Sequence, residues 1–265
     1  MPEGDSLRRL ATRMQPLVGQ KITRVTTQGL ARDLAGRTIT SVDAHGKHLL
    51  IDLDDGTQIR THLGMNGRVR DYPRMRGDAI ISSTSPGRAS LVLATADHVW
   101  LWLTARTVEI AARRAPMRGV AVAQLGPDIL AGDFDGRQVA STAAAHTERS
   151  IAETLLDQRV AAGIGNIWKC ESLFACKIDP RTPTGALSLD QLAALYTAAH
   201  TLMTESVRGS RPTYRVYLRG GKPCLTCQTS IEVASQGTPP RWTWWCPQCQ
   251  APLPPSVSGN RSRRG

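Results

Sequence analysis

The sequence opens Met1-Pro2-Glu3-Gly4-Asp5, which sets a nucleophile and an acid side by side. With the initiator methionine removed, Pro2 carries a free secondary α-amine. An α-amine titrates near ~7.7–8.0, against ~10.4 for a lysine side chain, so a useful fraction is unprotonated at neutral pH. Amines of this kind attack carbonyl-like carbons and form Schiff bases. Glu3 can carry the proton such chemistry needs; its other reading is charge compensation at a helix N-terminus. Arginine greatly outnumbers lysine, which singles out Lys21, Lys47, Lys169, Lys177 and Lys222. An ammonium can give up a proton where a guanidinium cannot.

A second chemistry lies near the other end. Cys224 and Cys227, then Cys246 and Cys249, form two C-x2-C pairs with 18 residues between them. Two such knuckles predict a closed tetrahedral four-cysteine site for one structural Zn2+. The metal would fold a segment too small for a core of its own. Between the knuckles lie Arg241, Trp242, Trp244 and Trp245. The tryptophans are expected to pack the hairpin and Arg241 to be its surface contact. Cys170 and Cys176 fall on helices and read as small buried hydrophobes.

These groups need elements to hold them. Leu7, Leu10, Ala11, Met14, Leu17 and Val18 recur at helical spacing, with Arg8, Arg9 and Arg13 opposite. Asp5 or Ser6 can cap that helix. From about 20 to 111 short β-branched runs follow: Lys21 to Thr27, Thr38 to Val42, His48 to Leu53, Gln58 to Leu63, Ser90 to Ala94 and His98 to Leu103. Turn signals at Asp54-Asp55-Gly56 and Asn66-Gly67 separate some of them. They predict an antiparallel sandwich or barrel. Arg113, Arg114, Pro116 and Gly119 suggest a linker. From about 124 the pattern is helical: Arg149 to Gln158, a glycine-punctuated turn at 161–166, Ile167 to Cys176, and a long helix capped by Ser188. A helix–turn–helix with glycines in the turn either offers backbone N–H groups to phosphate or is an ordinary helical hairpin. The last fifteen residues are rich in Pro, Ser, Gly and Arg and read as a disordered basic tail, adding DNA affinity or only solubility.

The net charge of +11 favours a polyanionic partner, nucleic acid before an anionic membrane. No apolar run approaches the ~20 residues of a membrane span, and the N-terminus has no apolar signal core. The cytoplasm, at the nucleoid, is the expected compartment. Six cysteines in such a chain point to metal or free thiols.

In combination these features resemble the formamidopyrimidine-DNA glycosylase / endonuclease VIII family, closer to its endonuclease VIII-like branch. The resemblance runs from residue 2 to about 250. It rests on Pro2-Glu3-Gly4, His45-Gly-Lys-His-Leu-Leu-Ile51, His62-Leu-Gly-Met-Asn-Gly67, the run from Leu156 to Trp168, Glu171-Ser-Leu-Phe174, and Arg241 five residues before Cys246. It implies an α+β fold of two domains: an N-terminal antiparallel β-sandwich flanked by helices, and a C-terminal helix–two-turn–helix domain with a four-cysteine zinc finger. The expected boundaries are 1–115 for the catalytic sandwich, 116–123 for the linker, 124–210 for the helical domain, 211–250 for the finger and 251–265 for the tail.

The resemblance also implies a bifunctional DNA glycosylase and abasic-site lyase that flips a damaged base from bent DNA. Pro2 resembles the nucleophile at deoxyribose C1′ and Glu3 the acid that protonates the sugar ring. Lys47 resembles the lysine of β-elimination and Arg241 the finger arginine of δ-elimination. His62 and Asn166 resemble phosphate ligands, Met65 the wedge that fills the vacated stack, and Arg106 a reader of the opposite strand. Lys47 otherwise reads as a strand-edge charge and Met65 as a turn residue. Glu3 is expected to have its pKa raised by desolvation.

Three departures bear on substrate. Asp5-Ser6 replaces the usual Pro-Glu, Thr107-Val108 replaces the Arg-Phe pair of purine-type members, and Val207 to Lys222 is short. They point to oxidised pyrimidines, or to a paralogue that acts mainly on abasic sites or single strands. The expected partner is double-stranded DNA with oxidised bases or abasic sites, or single-stranded DNA, met by a monomer. Two other classes remain open: a catalytically inactive damage-binding protein, and a zinc-ribbon RNA-binding protein that would leave Pro2-Glu3 unexplained.

Overall fold

The computed structural model describes residues 2–27, 33–83, 89–113, 115, 124–209 and 213–251. The expected linker at 116–123, and all of the expected tail but Ala251, lie outside the described residues.

Helix α1 (Gly4–Met14) buries Leu7, Leu10, Ala11 and Met14 and leaves Arg9 and Arg13 exposed. Its cap differs from the expectation. Glu3, in extended backbone, is the N-cap residue. Ser6 supplies the hydroxyl, accepting from the Glu3 N–H and donating to the Glu3 carbonyl, each at 2.8 Å. Glu3 therefore keeps its carboxylate free for another task.

Two four-stranded antiparallel sheets follow. One runs β2 (Ile39–His45), β3 (His48–Leu53), β4 (Thr57–His62), β8 (Thr107–Ala112). The other runs β1 (Arg24–Thr27), β6 (Ala89–Ala94), β7 (His98–Leu103), β5 (Arg68–Pro73). Ile39, Leu49, Ile51 and Ile59 of the first meet Leu91, Leu93, Trp100 and Trp102 of the second, and α1 closes one end. Trp102 Nε1 donates across the gap to Thr61 Oγ1 at 3.2 Å, which satisfies the one polar atom of a fully buried indole. Helix α2 (Arg74–Ser83) covers the outer face of β7 through Ile80 and Ile81. The strand expected from Lys21 begins only at Arg24; Lys21 makes a single bridge to Thr38. Neither β5 nor β8 was among the expected runs, because the Arg-Val-Arg-Asp-Tyr-Pro of β5 is an exposed edge and β8 is only partly buried.

The helical region packs α3 (Gly136–Ala143), α4 (Ile151–Leu156), α5 (Asn166–Ala175) and α6 (Leu189–Val207) around Leu155, Ile164, Trp168, Leu195, Tyr196 and Met203. Ser188 caps α6 with Gln191 in a reciprocal pair, as expected. The turn from 157 to 165 is tied internally: Gln158 donates to the carbonyls of Leu156 and Ile164 and accepts from Gly163 N–H. Strands β9 (Glu232–Gln236) and β10 (Arg241–Trp245) form the cysteine-bearing hairpin, and β10 packs on α5.

The two halves meet along backbone. Gly4 N–H donates to Gly163 O at 3.0 Å. Gly46 has φ +55, and a Cβ there would fall 2.8 Å from that of Ala162. Only glycine lets the β2–β3 turn approach this closely. Arg8 pairs with Asp128 at 2.7 Å on one side of the seam.

Candidate active site

Glu3 is 1% exposed and reaches out of its own helix into the other half of the molecule. Its Oε1 accepts the Ile167 N–H at 2.8 Å and its Oε2 the Trp168 N–H at 3.3 Å. It thus caps α5, whose N-cap residue Gly165 offers no side chain of its own. Gly165 lies so close that a Cβ there would overlap the Glu3 carboxyl. Of the amides at this helix end, those of Ile167 and Trp168 are taken by a carboxylate and are not free for phosphate. Burial pushes Glu3 up to about 7, while the Lys47 ammonium and the two backbone donors pull the other way.

Lys47 sits in the Gly46-Lys47 turn between β2 and β3. Burial pulls its ammonium down to about 8, with Glu3 opposing the shift and the Arg241 guanidinium adding to it. Pro2 is half-buried at the edge of a cleft of about 520 Å³, shared with Ser6, Leu10, Met65, Arg68 and Arg70. Met65 is 61% exposed, and Arg241 Nη1 stands 3.7 Å from its Sδ. Arg241 has no carboxylate partner among the described residues.

His62, at the end of β4, accepts the Gly64 N–H on Nδ1 at 3.0 Å. The neutral ring must then carry its proton on Nε2, so it presents a donor outward. Burial lowers its pKa, and the Lys47 and Arg106 charges lower it further. Its ring lies 5.0 Å from that of His48, which burial pulls down to about 4. Arg106 donates its backbone N–H to His62 O at 2.9 Å and leaves its side chain exposed. Thr107 and Val108, next to it, pair with His62 and Thr61 as the first residues of β8.

Asn166, the first residue of α5, is fully engaged on one side. Its Nδ2 donates to Trp242 O at 2.8 Å, and its Oδ1 accepts from Lys169 Nζ at 2.7 Å. Lys169 is 1% exposed and also donates to Thr243 Oγ1 at 2.7 Å. Its ammonium meets no carboxylate within bonding distance among the described residues, and burial lowers its pKa. The sequence marked Lys169 as one of few lysines but gave it no place; no periodicity announces a buried cation. Glu171 opens the Glu171-Ser-Leu-Phe174 run on α5. Its carboxylate accepts three successive backbone N–H groups, from Arg215 at 2.8, Val216 at 3.0 and Tyr217 at 2.8 Å.

Asp5 does not stand in for the missing second glutamate. Its Oδ2 accepts from Ser206 Oγ at 2.7 Å and pairs with Arg9 at 3.0 Å, so it binds α1 to α6 and only Ser6 lines the cleft. The tryptophans divide. Trp245 is buried and Trp244 packs edge-on against Tyr217, but Trp242 is 58% exposed.

The ligand sulfurs of Cys224, Cys227, Cys246 and Cys249 all lie within 4.8 Å of one another. Cys227 and Cys246 are 3.4 Å apart, Cys224 and Cys249 3.9 Å. Four sulfurs about 2.3 Å from a tetrahedral centre stand about 3.8 Å apart, so the donor set fits a closed four-thiolate metal site. No helix among the described residues is long and apolar enough to cross a membrane.

Known proteins are similar to this chain in sequence and fold. Residues 1–111 match the formamidopyrimidine-DNA glycosylase N-terminal domain and residues 125–217 the formamidopyrimidine-DNA glycosylase H2TH domain. A probable endonuclease 8 2 of Streptomyces coelicolor is 36% identical over all of both chains. The DNA-(apurinic or apyrimidinic site) lyase Nei2 of Mycolicibacterium smegmatis is 35% identical, over 94% of this chain and 99% of its own. The crystal structure of the MutM (Fpg) protein of Thermus thermophilus superposes with a TM-score of 0.80 at 27% identity, over 96% of this chain and 100% of that one.

Proposed function

The chain belongs to the formamidopyrimidine-DNA glycosylase family, and we propose that it removes oxidised bases, pyrimidines above all, through an imine at Pro2 and then cuts the strand. The enzyme class is DNA glycosylase and abasic-site lyase of base excision repair. The observation that carries the residue-level reading is Glu3, a carboxyl directly after the nucleophile, bonded to the α5 amides and raised by burial to about 7 against the pull of Lys47 and those amides.

With Met1 removed, the Pro2 nitrogen attacks C1′ of the flipped nucleotide. Glu3 gives its proton to the ring oxygen, the ring opens, and the base leaves with the electron pair of the glycosidic bond. The resulting iminium withdraws electrons and acidifies the C2′ proton. Loss of that proton expels the 3′ phosphate; a second elimination expels the 5′ phosphate, and water then hydrolyses the C1′–N bond of the iminium to an aldehyde and frees Pro2. Lys47 serves the first elimination and Arg241 holds the flanking phosphates for the second. His62, through Nε2–H, and Asn166 are further phosphate ligands. Met65 fills the vacated stack and Arg106 meets the opposite strand. One Zn2+ on the four cysteines holds the hairpin that carries Arg241. The fitting setting is a monomer at the nucleoid.

A second reading, an enzyme mainly for abasic sites, is favoured by the commitment of Asp5 to Ser206 and Arg9. That leaves no carboxylate among the described residues of the cleft lining to read a base. Borohydride trapping on abasic DNA tests the imine: the processed chain should form a covalent adduct, and a chain with one extra N-terminal residue should not. Equal trapping by both would remove Pro2 from the mechanism. A panel of single-lesion oligonucleotides then separates pyrimidine excision from abasic cleavage alone.

A further inference from the structure

The residues that follow Pro2 are tied to different parts of the molecule. Glu3 reaches the Ile167 and Trp168 amides of α5. Gly4 donates its N–H to Gly163 O at 3.0 Å, and a Cβ on it would stand 3.1 Å from the Met203 Cε of α6. Ser6 folds back on Glu3. Asp5 makes a further tie, and this one is a closed ring of side chains. Its Oδ2 accepts from Ser206 Oγ at 2.7 Å and pairs with Arg9 Nη1 at 3.0 Å. The same Arg9 nitrogen donates to Ser206 Oγ at 2.7 Å and to Ser206 O at 2.8 Å. Asp5 is 6% exposed and Ser206 4%. Ser206 lies in the last turn of α6, where the helix dipole favours a cation.

We propose that the Asp5–Arg9–Ser206 ring positions the nucleophile: it fixes how α1 sits on α6, and so where the Pro2 nitrogen stands in the cleft. This rests on reading Pro2 as the nucleophile. Only Glu3 and Gly4 separate Pro2 from the ring, and Arg9 grips α1 one turn further on. An Asp5–Arg9 pair alone would stay within α1; Ser206 turns it into a bond between the two halves. A buried polar network with its members satisfied holds one arrangement, where apolar contact would let the helices slide. Attack on carbon needs the reacting atoms within about 3–3.5 Å, and a shift of about 1 Å costs about a hundredfold in rate. Neither Asp5, Arg9 nor Ser206 is among the described residues of the cleft lining, so the ring acts through Pro2 and not on the substrate.

The test uses the whole zinc-loaded protein with Met1 removed, and separates holding DNA from attacking it. Affinity is read on a tetrahydrofuran abasic analogue, and attack as the rate of borohydride trapping on abasic DNA at saturating protein. D5A and S206A should each trap about a hundredfold more slowly than the parent, with affinity within about threefold. The double variant should be no slower than the slower single one, to within about threefold, because both substitutions open the same ring. D5N keeps an acceptor for Ser206 and should trap at least about tenfold faster than D5A. Trapping by S206A at the parent rate, losses that multiply in the double variant, D5N no faster than D5A, or affinity losses as large as the trapping losses would each overturn the assignment. S206A removes one hydroxyl and carries the test alone if D5A does not fold. A parent that fails to trap would overturn the Pro2 reading and the ring's purpose with it; a trapping parent with equally fast variants would overturn the ring alone.

Discussion

Gly165 and Glu3 are in such close contact that a methyl group on the one would occupy the space of the other's carboxyl. The glycine belongs to the N-cap of α5 and the acid to the N-cap of α1, so each helix begins where the other's first residue allows it. Gly165→Ala must displace the carboxylate from the Ile167 and Trp168 amides. Overpacking of this kind costs about 1–3 kcal/mol. Thermal melts should show that loss, and single-turnover base release should fall by at least about a hundredfold. Affinity for abasic-analogue DNA should stay within a few-fold. An alanine variant with undiminished base release would separate Glu3's position from its function.

The pH dependence follows from the same carboxyl. Glu3 must be protonated to donate, so base release should fall about tenfold per pH unit above about 7. The stability sign is the reverse of an ion-paired carboxylate. The folded state holds a proton that the unfolded chain releases near 4.5, so stability is fully present below that value and is lost as pH rises to about 7. The size is about 3 kcal/mol. Lys47 acts oppositely: its folded form sheds a proton at about 8, so stability rises between about 8 and 10.5. Denaturant titrations at pH 5 and 7 should show a drop for the parent and none for Glu3→Gln. An identical drop in both would assign it elsewhere.

Lys169 ties the hairpin to α5 with an ammonium whose acceptors among the described residues are all neutral. Lys169→Met removes the cation and leaves an acceptor lone pair on Thr243 Oγ1 and one on Asn166 Oδ1 unmatched, a cost of about 1–3 kcal/mol. The hairpin should keep its metal but lose its register on α5. Affinity for abasic-analogue DNA should fall about tenfold, with zinc content by elemental analysis unchanged. Full affinity in the variant would show that Arg241 does not depend on this anchor.

Metal removal should act through the same hairpin. Cys246→Ser, or a strong chelator, should take zinc from about one per chain to none and weaken DNA binding by at least about tenfold. The sandwich, with its own core of Leu49, Ile51, Ile59 and Trp102, should keep its melting transition. Unaltered binding by the metal-free protein would rule out a required finger.

Much of this was legible because chemistry and periodicity coincide in the sequence. Two strands, His48–Leu53 and His98–Leu103, fall where their apolar runs place them, and the cysteine spacing names its own geometry. What escaped notice was set by contacts between distant segments. The partner of Asp5 is one case: Ser206 lies some two hundred residues further along the chain. The turn at 161–166 reads either as free amides or as an ordinary hairpin, and that Glu3 takes the Ile167 and Trp168 amides shows only in the fold. Trp242 was expected in the hairpin core, and Ser235 opposite it is too small to make one. No local pattern carries any of these.

An acid shared between two halves of a protein has the properties of a safety catch. The proton on Glu3 is retained only while α5 and its neighbours keep water away from the carboxyl. Were the halves to part, hydration would return Glu3 to an ordinary glutamate, ionised and unable to donate. Closure around a strand and readiness to break a glycosidic bond would then be one event, and intact nucleotides brushed in an open encounter would be spared.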